Sequence, residues 1–204
     1  MNGRAYEIGA LALEHLQLVA LAVGIAASIA LPAAVLLSRR AALRRWVVGF
    51  ANLAQTIPSL ALFGFLLPIP LIGGIGKRTA VVALALYALL PMLRNTLVGI
   101  LGVDPTVREL AVAMGMTARQ ILWQVELPLA APSILAGLRI ATVATVGSAT
   151  IAAAIGGGGL GVFIFRGIAM LDTSTVLAGA IPAALMALAA DEGLEWIERR
   201  FSPR

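Results

Sequence analysis

Glu109-Leu-Ala-Val-Ala-Met-Gly115 and, nine residues further on, Val125-Glu-Leu-Pro128 form a polar, helix-forming segment between two strongly hydrophobic runs of this chain. A charged helical segment is out of place in so apolar a sequence unless something outside the lipid binds it. The segment therefore predicts a docking element, over about residues 104–127, that connects two membrane spans.

Local signals predict two short helices within this segment. Asp104 can cap a helix and Pro105 suits its first position, while Gly115 can adopt the left-handed backbone needed to join a second helix. Pro128 disfavours helical backbone at Leu127 and then begins the next span. An apolar stripe at helical spacing (Leu110, Ala113, Met114, Thr117, Ile121) runs beside Arg108, Glu109, Arg119 and Gln120. The alternative interpretation is an ordinary interfacial helix between two spans.

The composition places the chain in a membrane. Of its 204 residues, 60% are hydrophobic and 12% charged, and the mean hydropathy of +0.98 lies outside the range of soluble domains. The net charge of +5 would suggest nucleic acid in a soluble protein. Here the basic residues lie beside apolar runs, where they orient spans, so membrane lipids are expected as partners and nucleic acid is not. The lack of cysteine excludes disulfides and thiolate metal sites.

Five segments are apolar enough, at about 20 residues each, to cross a bilayer. Helices are expected because lipid offers the backbone no hydrogen-bond partner. The predicted spans are residues 16–37, 46–67, 79–101, 129–154 and 175–196, which make residues 1–204 a single transmembrane domain. Charges from Asp191 onward predict an amphipathic end of the last span at the interface. Arg139, inside the fourth run, is expected near the cytoplasmic surface or buried in protein.

Arginines orient the spans. The short link between the first two spans holds Arg39, Arg40, Arg44 and Arg45, and is therefore predicted to be cytoplasmic. Counting crossings from this link places the N-terminus outside, and the Glu109 segment and the C-terminus in the cytoplasm. Arg199, Arg200 and Arg204 near the C-terminus agree with that placement. Lys77 and Arg78 fall on the outer side and are an exception.

Polar side chains on the second span form one helical face. Asn52, Gln55, Thr56 and Ser59 recur at offsets of three and four residues, and Pro58 interrupts them. Polar atoms in lipid need partners, so this face is expected to point into a bundle or a water-filled path. With Asn95 of the third span, these are the candidate pathway residues; helix–helix hydrogen bonding is the alternative.

The run Gly156-Gly-Gly-Gly-Leu-Gly161 lacks the Gly-Lys-Ser/Thr ending of a phosphate loop and follows no soluble strand. It therefore predicts a flexible turn at the outer end of the fourth span rather than a nucleotide site. His15 has no second metal ligand at a useful spacing, so no metal site is predicted.

The polar segment resembles the EAA loop of ATP-binding-cassette (ABC) importer permeases, in which Glu-Ala-Ala, three residues, Gly and nine residues precede Ile-x-Leu-Pro. Glu109, Ala111, Gly115, Leu127 and Pro128 match this pattern, whereas Leu110 and Val125 depart from it. Three further stretches resemble permeases of osmoprotectant importers, which carry glycine betaine, choline or carnitine: Gln55–Leu62, Leu86–Thr96 and Gly156–Phe163. The glycine run is shared with methionine-type permeases.

The resemblance implies an all-α integral membrane protein with about five transmembrane helices of the type I importer fold, in the bacterial inner membrane. It implies that the loop, with Arg108 and Arg119 beside the matching residues, couples to a partner ATPase. Two permease chains, identical or related, would assemble with two ATPases and be fed by an extracytoplasmic binding protein. The chain would bind no cofactor and catalyse no reaction, because ATP and magnesium belong to the ATPase.

Three other functions compete with this interpretation. A methionine or amino-acid ABC permease shares the loop and the glycine run. A secondary transporter would need membrane-embedded carboxylates for ion coupling, and Asp191 and Glu192 stand only at the end of a span. An integral-membrane enzyme would need clustered Asp, Glu or His at a membrane face. Co-purification with an ATPase would distinguish an ABC permease from a secondary transporter and from an integral-membrane enzyme.

Overall fold

The computed structural model describes residues 2–70 and 72–201, without the side chains of Asn2, Ala54 and Gln55. This part of the chain is helical and holds no strand, which confirms the all-α prediction. The helices are α1 (Asn2–Ser38), α2 (Ala41–Gln55), α3 (Ser59–Leu66), α4 (Lys77–Leu101), α5 (Pro105–Ala113), α6 (Ala118–Ile121), α7 (Leu127–Ala149), α8 (Gly161–Ala169) and α9 (Thr173–Phe201). A π-helical turn (Leu122–Glu126) precedes α7, and a 3₁₀ turn (Ile151–Ile155) follows it.

Within residues 2–70 and 72–201, four helical stretches are long and apolar enough to cross a membrane: Gly3–Ser38, Lys77–Leu101, Ala118–Ala149 and Thr173–Phe201. They coincide with four of the five predicted spans, but α1 begins at Asn2 rather than near residue 16. The polar residues of its first turns are paired with distant helices, which allows the helix to extend. Arg4 donates to Thr175 at 2.9 Å, Glu7 pairs with Arg166 at 2.9 Å, and Glu14 pairs with Lys77 at 2.9 Å.

The span predicted as one helix over residues 46–67 is broken. Helix α2 ends at Gln55 and α3 begins at Ser59, with Pro58 in extended backbone between them (φ −55°, ψ 138°). Proline lacks the N–H that would continue the helix, and its ring clashes with the preceding turn. Backbone carbonyls left unpaired at such a break need donors within the membrane, and the Tyr87 hydroxyl of α4 donates to the carbonyl of Ile57.

Small residues let the central helices approach closely. On α1, Ala22, Ala26, Ala30 and Ala34 repeat every four residues and are fully buried, as in helix pairs packed within membranes. Helices α4 and α7 cross so tightly that a Cβ added at Gly137 would lie 2.6 Å from the Cβ of Asn95. Because α4 and α7 flank the polar segment in sequence, this packing holds both ends of the segment.

Helix α9 continues without a break to Phe201, so the predicted amphipathic end is a direct extension of the last span. Its acidic residues meet Arg139 of α7: Asp191 at 2.5 Å, Glu195 at 2.9 Å and Glu198 at 3.6 Å. Spacings of four and three residues place all three carboxylates on one face. The Arg139 side chain is 26% exposed, which fits its expected position within protein near a span end.

Candidate coupling site

The polar segment begins as its sequence predicts. Asp104 caps α5 by accepting a hydrogen bond from the backbone N–H of Thr106 at 2.8 Å, and Pro105 occupies the first helical position. The pKa of Asp104 is lowered below its ordinary value because its carboxylate is stabilised by the N–H of Thr106 and, to a smaller extent, by the Thr106 hydroxyl. The cap is therefore charged at neutral pH and stabilises the start of α5.

Gly115 joins α5 to α6 with a left-handed backbone (φ +77°), which confirms its predicted conformation. The Gly115 and Met116 N–H groups bond back to the carbonyls of Val112 and Ala111, at 2.9 and 3.1 Å, and so close the end of α5. Thr117 then begins α6 in a capping box with Gln120. That box was missed in the sequence, although Thr-x-x-Gln is its usual signal.

The outer surface of α5 is apolar and unpacked within this chain. Leu110, Val112 and Met114 are 60%, 63% and 74% exposed, whereas Ala111 is buried against the bundle. The charged side chains of Glu109 and Arg119 are also exposed. An exposed apolar patch bordered by charges is typical of a surface that binds another protein, and this one lies on a short, well-capped pair of helices.

Arg108, predicted to contact the ATPase, points inward instead. Its Nε lies 3.0 Å from Oε1 of Glu126, and its guanidinium donates to the carbonyl of Ile100. Arg39, from the link between α1 and α2, donates to the other carboxylate oxygen of Glu126. Glu126 is fully buried and was not singled out in the sequence. The sequence signal that could have identified Glu126 is an acidic residue between the apolar Val125 and Leu127, two positions before Pro128.

Pro128 lies at the start of α7, as predicted, but Leu127 before it is helical, contrary to the prediction. Leu127 has helical backbone (φ −66°, ψ −43°), and the π turn over Leu122–Glu126 leads directly into α7. The N–H of Leu127 bonds to the carbonyl of Leu122, five residues back. This wider turn accommodates the ring and missing N–H of Pro128 near the start of α7, where helices tolerate proline.

The candidate pathway residues are not all brought together. Asn52 lines a groove of about 480 Å³ that also contains Arg44, Arg45 and Arg94. Asn95 lines a neighbouring groove of about 390 Å³, which Arg94 also borders. Sequence reasoning passed over Arg94, which, together with Val98, lines both grooves.

Of the candidate pathway side chains, two make hydrogen bonds to carbonyls of nearby residues in sequence, one is half-buried, and one lies outside the described residues. The Asn95 amide donates to the carbonyl of Pro91 at 2.9 Å, and the Thr56 hydroxyl donates to the carbonyl of Leu53 at 2.7 Å. Ser59 is half-buried at the start of α3. The side chain of Gln55 lies outside the described residues.

The glycine run lies at the other end of the bundle from the coupling segment. Gly156, Gly158 and Gly159 have φ values of +74°, +81° and +77°, so the run forms a turn as predicted. The N–H of Gly159 donates to Glu14 at 3.2 Å, and the buried His15 ring bonds through Nε2 to the carbonyl of Val146 at 3.0 Å. No three His, Asp or Glu side chains in residues 2–70 and 72–201 are placed to hold a metal ion.

Long apolar helices around a small-residue core, with an exposed capped helix pair between two of them, are the features of a multi-pass membrane permease. Residues 22–203 match the family of binding-protein-dependent transport system inner membrane components, and the chain belongs to that family. It is the permease subunit of an ABC importer and not an enzyme, because a separate ATPase hydrolyses ATP. Family membership implies two kinds of partner, an ATPase and a substrate-binding protein.

Relatives of known function cover nearly the whole chain. It is 46% identical to the carnitine transport permease protein OpuCD of Listeria monocytogenes serotype 1/2a (strain 10403S), over 93% of this chain and 84% of the relative. It is 41% identical to the glycine betaine/carnitine/choline permease OpuCB of Bacillus subtilis (strain 168), over 94% and 87%. It is 44% identical to the osmoprotectant import permease OsmW of Salmonella typhimurium (strain LT2), over 98% and 92%.

Solved structures show the same fold. The inward-facing MetNI methionine ABC transporter superposes with a TM-score of 0.90 at 22% identity, over the full length of both chains. An amino acid ABC transporter with histidines gives a TM-score of 0.79 at 22% identity, over 98% of this chain and 96% of the other. The type I importer fold predicted from the sequence is thereby confirmed.

Proposed function

We propose that this chain carries quaternary-ammonium osmoprotectants, such as carnitine, choline and glycine betaine, as one half of a two-permease importer. The observation that carries the proposal is the 46% identity over 93% of the chain to a carnitine permease. Relatives that transport choline and glycine betaine support the same substrate class. The methionine transporter shares the fold at 22% identity only, which favours the osmoprotectant substrate over the amino-acid alternative.

The proposed mechanism is alternating access. An ATPase docks on the exposed face of α5 and α6, contacting Glu109, Arg119 and the apolar side chains of α5. Closure of the ATPases around ATP moves this helix pair, and the packed junction of α4 and α7 transmits the movement to the spans. Asn52, Thr56, Ser59 and Asn95, with Gln55, are proposed to face the path that opens between two permease chains.

Uptake by the reconstituted complex tests the substrate class. With its own binding protein and ATPase, the complex should accumulate labelled carnitine, choline or glycine betaine in an ATP-dependent manner and should not accumulate methionine. The control is the same liposomes with a non-hydrolysable ATP analogue, which should stop uptake. Methionine uptake without uptake of any quaternary ammonium compound would refute the proposal and favour the amino-acid alternative.

The proposed orientation places the N-terminus outside and the C-terminus in the cytoplasm. It rests on the positive-inside rule applied to Arg39, Arg40, Arg44 and Arg45. The contact between Arg39 and Glu126 supports it, because it places that arginine-rich link at the same end of the bundle as the coupling helices. At the opposite end, Glu14 pairs with Lys77, which gives the exceptional outer lysine a local partner.

Single-cysteine labelling tests the orientation against a chain that has no native cysteine. An impermeant maleimide applied to intact cells should label Gly3→Cys and not Ala42→Cys. Ser202→Cys, whose position lies outside the described residues, should likewise remain unlabelled in intact cells. After permeabilisation, Ala42→Cys should label as strongly as Gly3→Cys, which controls for reactivity. Labelling of Ala42→Cys in intact cells would show that the chain has the opposite orientation.

A further inference from the structure

We infer that Glu126 is a positioning residue that ties the coupling helix α5 to the link between α1 and α2, so that movement of α5 reaches two parts of the bundle at once. Three elements distant in sequence meet at this one carboxylate. Arg39 comes from the α1–α2 link, Arg108 from α5, and Glu126 itself from the π turn before α7. The inference rests on the proposed coupling role of α5 and α6.

Each oxygen of the carboxylate lies beside a guanidinium group, Oε1 in an ion pair without hydrogen-bond geometry and Oε2 in a hydrogen bond. Oε1 lies 3.0 Å from Nε of Arg108, and Oε2 accepts a hydrogen bond from the guanidinium of Arg39. Arg108 is anchored a second time, on the carbonyl of Ile100 near the end of α4. The carboxylate is therefore the shared partner of two guanidinium groups; through it α5 is connected to the α1–α2 link and to the start of α7, while Arg108 contacts α4 directly.

Burial makes this connection stiff. The Glu126 side chain is fully buried, whereas those of Arg108 and Arg39 are 28% and 51% exposed. A buried carboxylate cannot release its partners without remaining as an uncompensated charge in a poorly solvating environment, which is strongly unfavourable. The arginines are therefore expected to follow Glu126 whenever the π turn moves, and Glu126 to follow α5.

The two faces of α5 then have different tasks. The outward face carries Glu109 and the exposed apolar side chains that meet the ATPase, while Arg108 on the inward face connects α5 to the permease. The π turn contributes because it inserts one residue into the helical register before α7, and such turns re-aim side chains at functional sites. Loss of the Glu126 charge should therefore leave ATPase docking intact but weaken the transmission of movement from α5 to the membrane spans.

The test compares Glu126→Gln with Glu192→Gln in the full complex with its ATPase and binding protein. Glu192 is an exposed acid of α9 with no ion pair among the described residues, so it controls for loss of one negative charge. The measured quantity is the number of solute molecules imported per ATP hydrolysed. Glu126→Gln should lower this ratio roughly ten-fold, within the range of coupling between distant protein sites, with normal co-purification of the ATPase. Glu192→Gln should leave the ratio unchanged.

A milder variant keeps the test decisive if Glu126→Gln fails to assemble. Arg39→Gln removes the half-exposed partner and leaves the pair of Arg108 and Glu126, so it should fold and still lower the ratio, by about two-fold or more. The double variant Arg39→Gln/Glu126→Gln should be no worse than Glu126→Gln alone, because residues of one cluster do not contribute additively.

The inference is overturned if the assembled Arg39→Gln and Glu126→Gln complexes import as much solute per ATP as the unmodified complex, or lose hydrolysis and uptake in proportion. Proportional loss would indicate a purely structural residue. The coupling assignment itself is tested separately at Gly115. If a valine there uncouples the complex and Glu126→Gln does not, only the role of Glu126 fails; if neither variant does, the coupling site is misplaced.

Discussion

Gly115→Val is expected to separate ATP hydrolysis from uptake while the permease still inserts in the membrane. Gly115 has φ +77°, and a non-glycine residue in left-handed backbone costs about 1–2 kcal/mol, most for a β-branched side chain. Apart from the adjoining residues of the chain, no described atom lies within 4 Å of a Cβ added at this position, so the strain comes from the backbone alone. Relief of that strain changes the angle between α5 and α6, the two helices proposed to contact the ATPase.

Uptake driven by ATP should fall at least roughly ten-fold in Gly115→Val, as expected when about 1.4 kcal/mol of coupling between sites is lost. Gly115→Asn is the matched control, because asparagine tolerates left-handed backbone far better than valine. It should retain most uptake. The measurements are binding-protein-stimulated ATP hydrolysis and solute accumulation in the same liposomes. Unchanged hydrolysis and uptake in Gly115→Val would show that this bend does not couple the two activities.

Gly161→Ala should strongly destabilise the permease, although it adds a single methyl group. Gly161 begins α8, and a Cβ there would lie 1.9 Å from the carbonyl oxygen of Thr150 and 2.9 Å from the Cβ of Ala153. The obstructing atom is a backbone oxygen at the end of α7, so it cannot rotate away as the end of a flexible side chain could. Overpacking a tight site costs about 1–3 kcal/mol and more where the surroundings cannot relax, so the upper end is expected here.

Gly147→Ala is the control for this second experiment. Gly147 lies in α7, and no described atom beyond its own helical turn lies within 4 Å of a Cβ added there, so alanine should be tolerated and should favour the helix by about 1 kcal/mol. The thermal unfolding midpoint and the yield of monodisperse protein in detergent are the measurements. Gly161→Ala should lower both sharply, whereas Gly147→Ala should match the unmodified chain. Equal stability of the two variants would contradict the close contact between α8 and the end of α7.

Local chemistry accounts for the features that the sequence predicted well. Apolar runs long enough to cross a membrane became the long helices, because lipid leaves the backbone no other way to satisfy its hydrogen bonds. Asp104, Pro105 and Gly115 act within a few residues of themselves, so the cap and the left-handed bend could be predicted before any packing was known. The break at Pro58 was also readable in principle, since proline interrupts a helix wherever it stands in the interior.

Pairings between distant residues could not be predicted in the same way. Arg108 lies on the same helix as exposed Glu109, and periodicity alone does not tell which of them faces a partner protein. Glu126 is separated from Arg39 by 87 positions, and their contact exists only because α1, α4 and α7 pack at one end of the bundle. The start of α1 was placed too late for a similar reason, since its polar first turns are compensated by α4, α8 and α9.

The sequence by itself determined that this chain is an all-helical membrane protein with a capped helix pair between two spans, because hydropathy, capping and glycine conformation depend on near neighbours. Only the tertiary structure decided which charges of that element face outward and which are held inside. A buried carboxylate such as Glu126 is stable only beside groups that neutralise it, and those groups are supplied by Arg39 and Arg108 from other elements. Their positions follow from helix packing, which no short stretch of sequence contains.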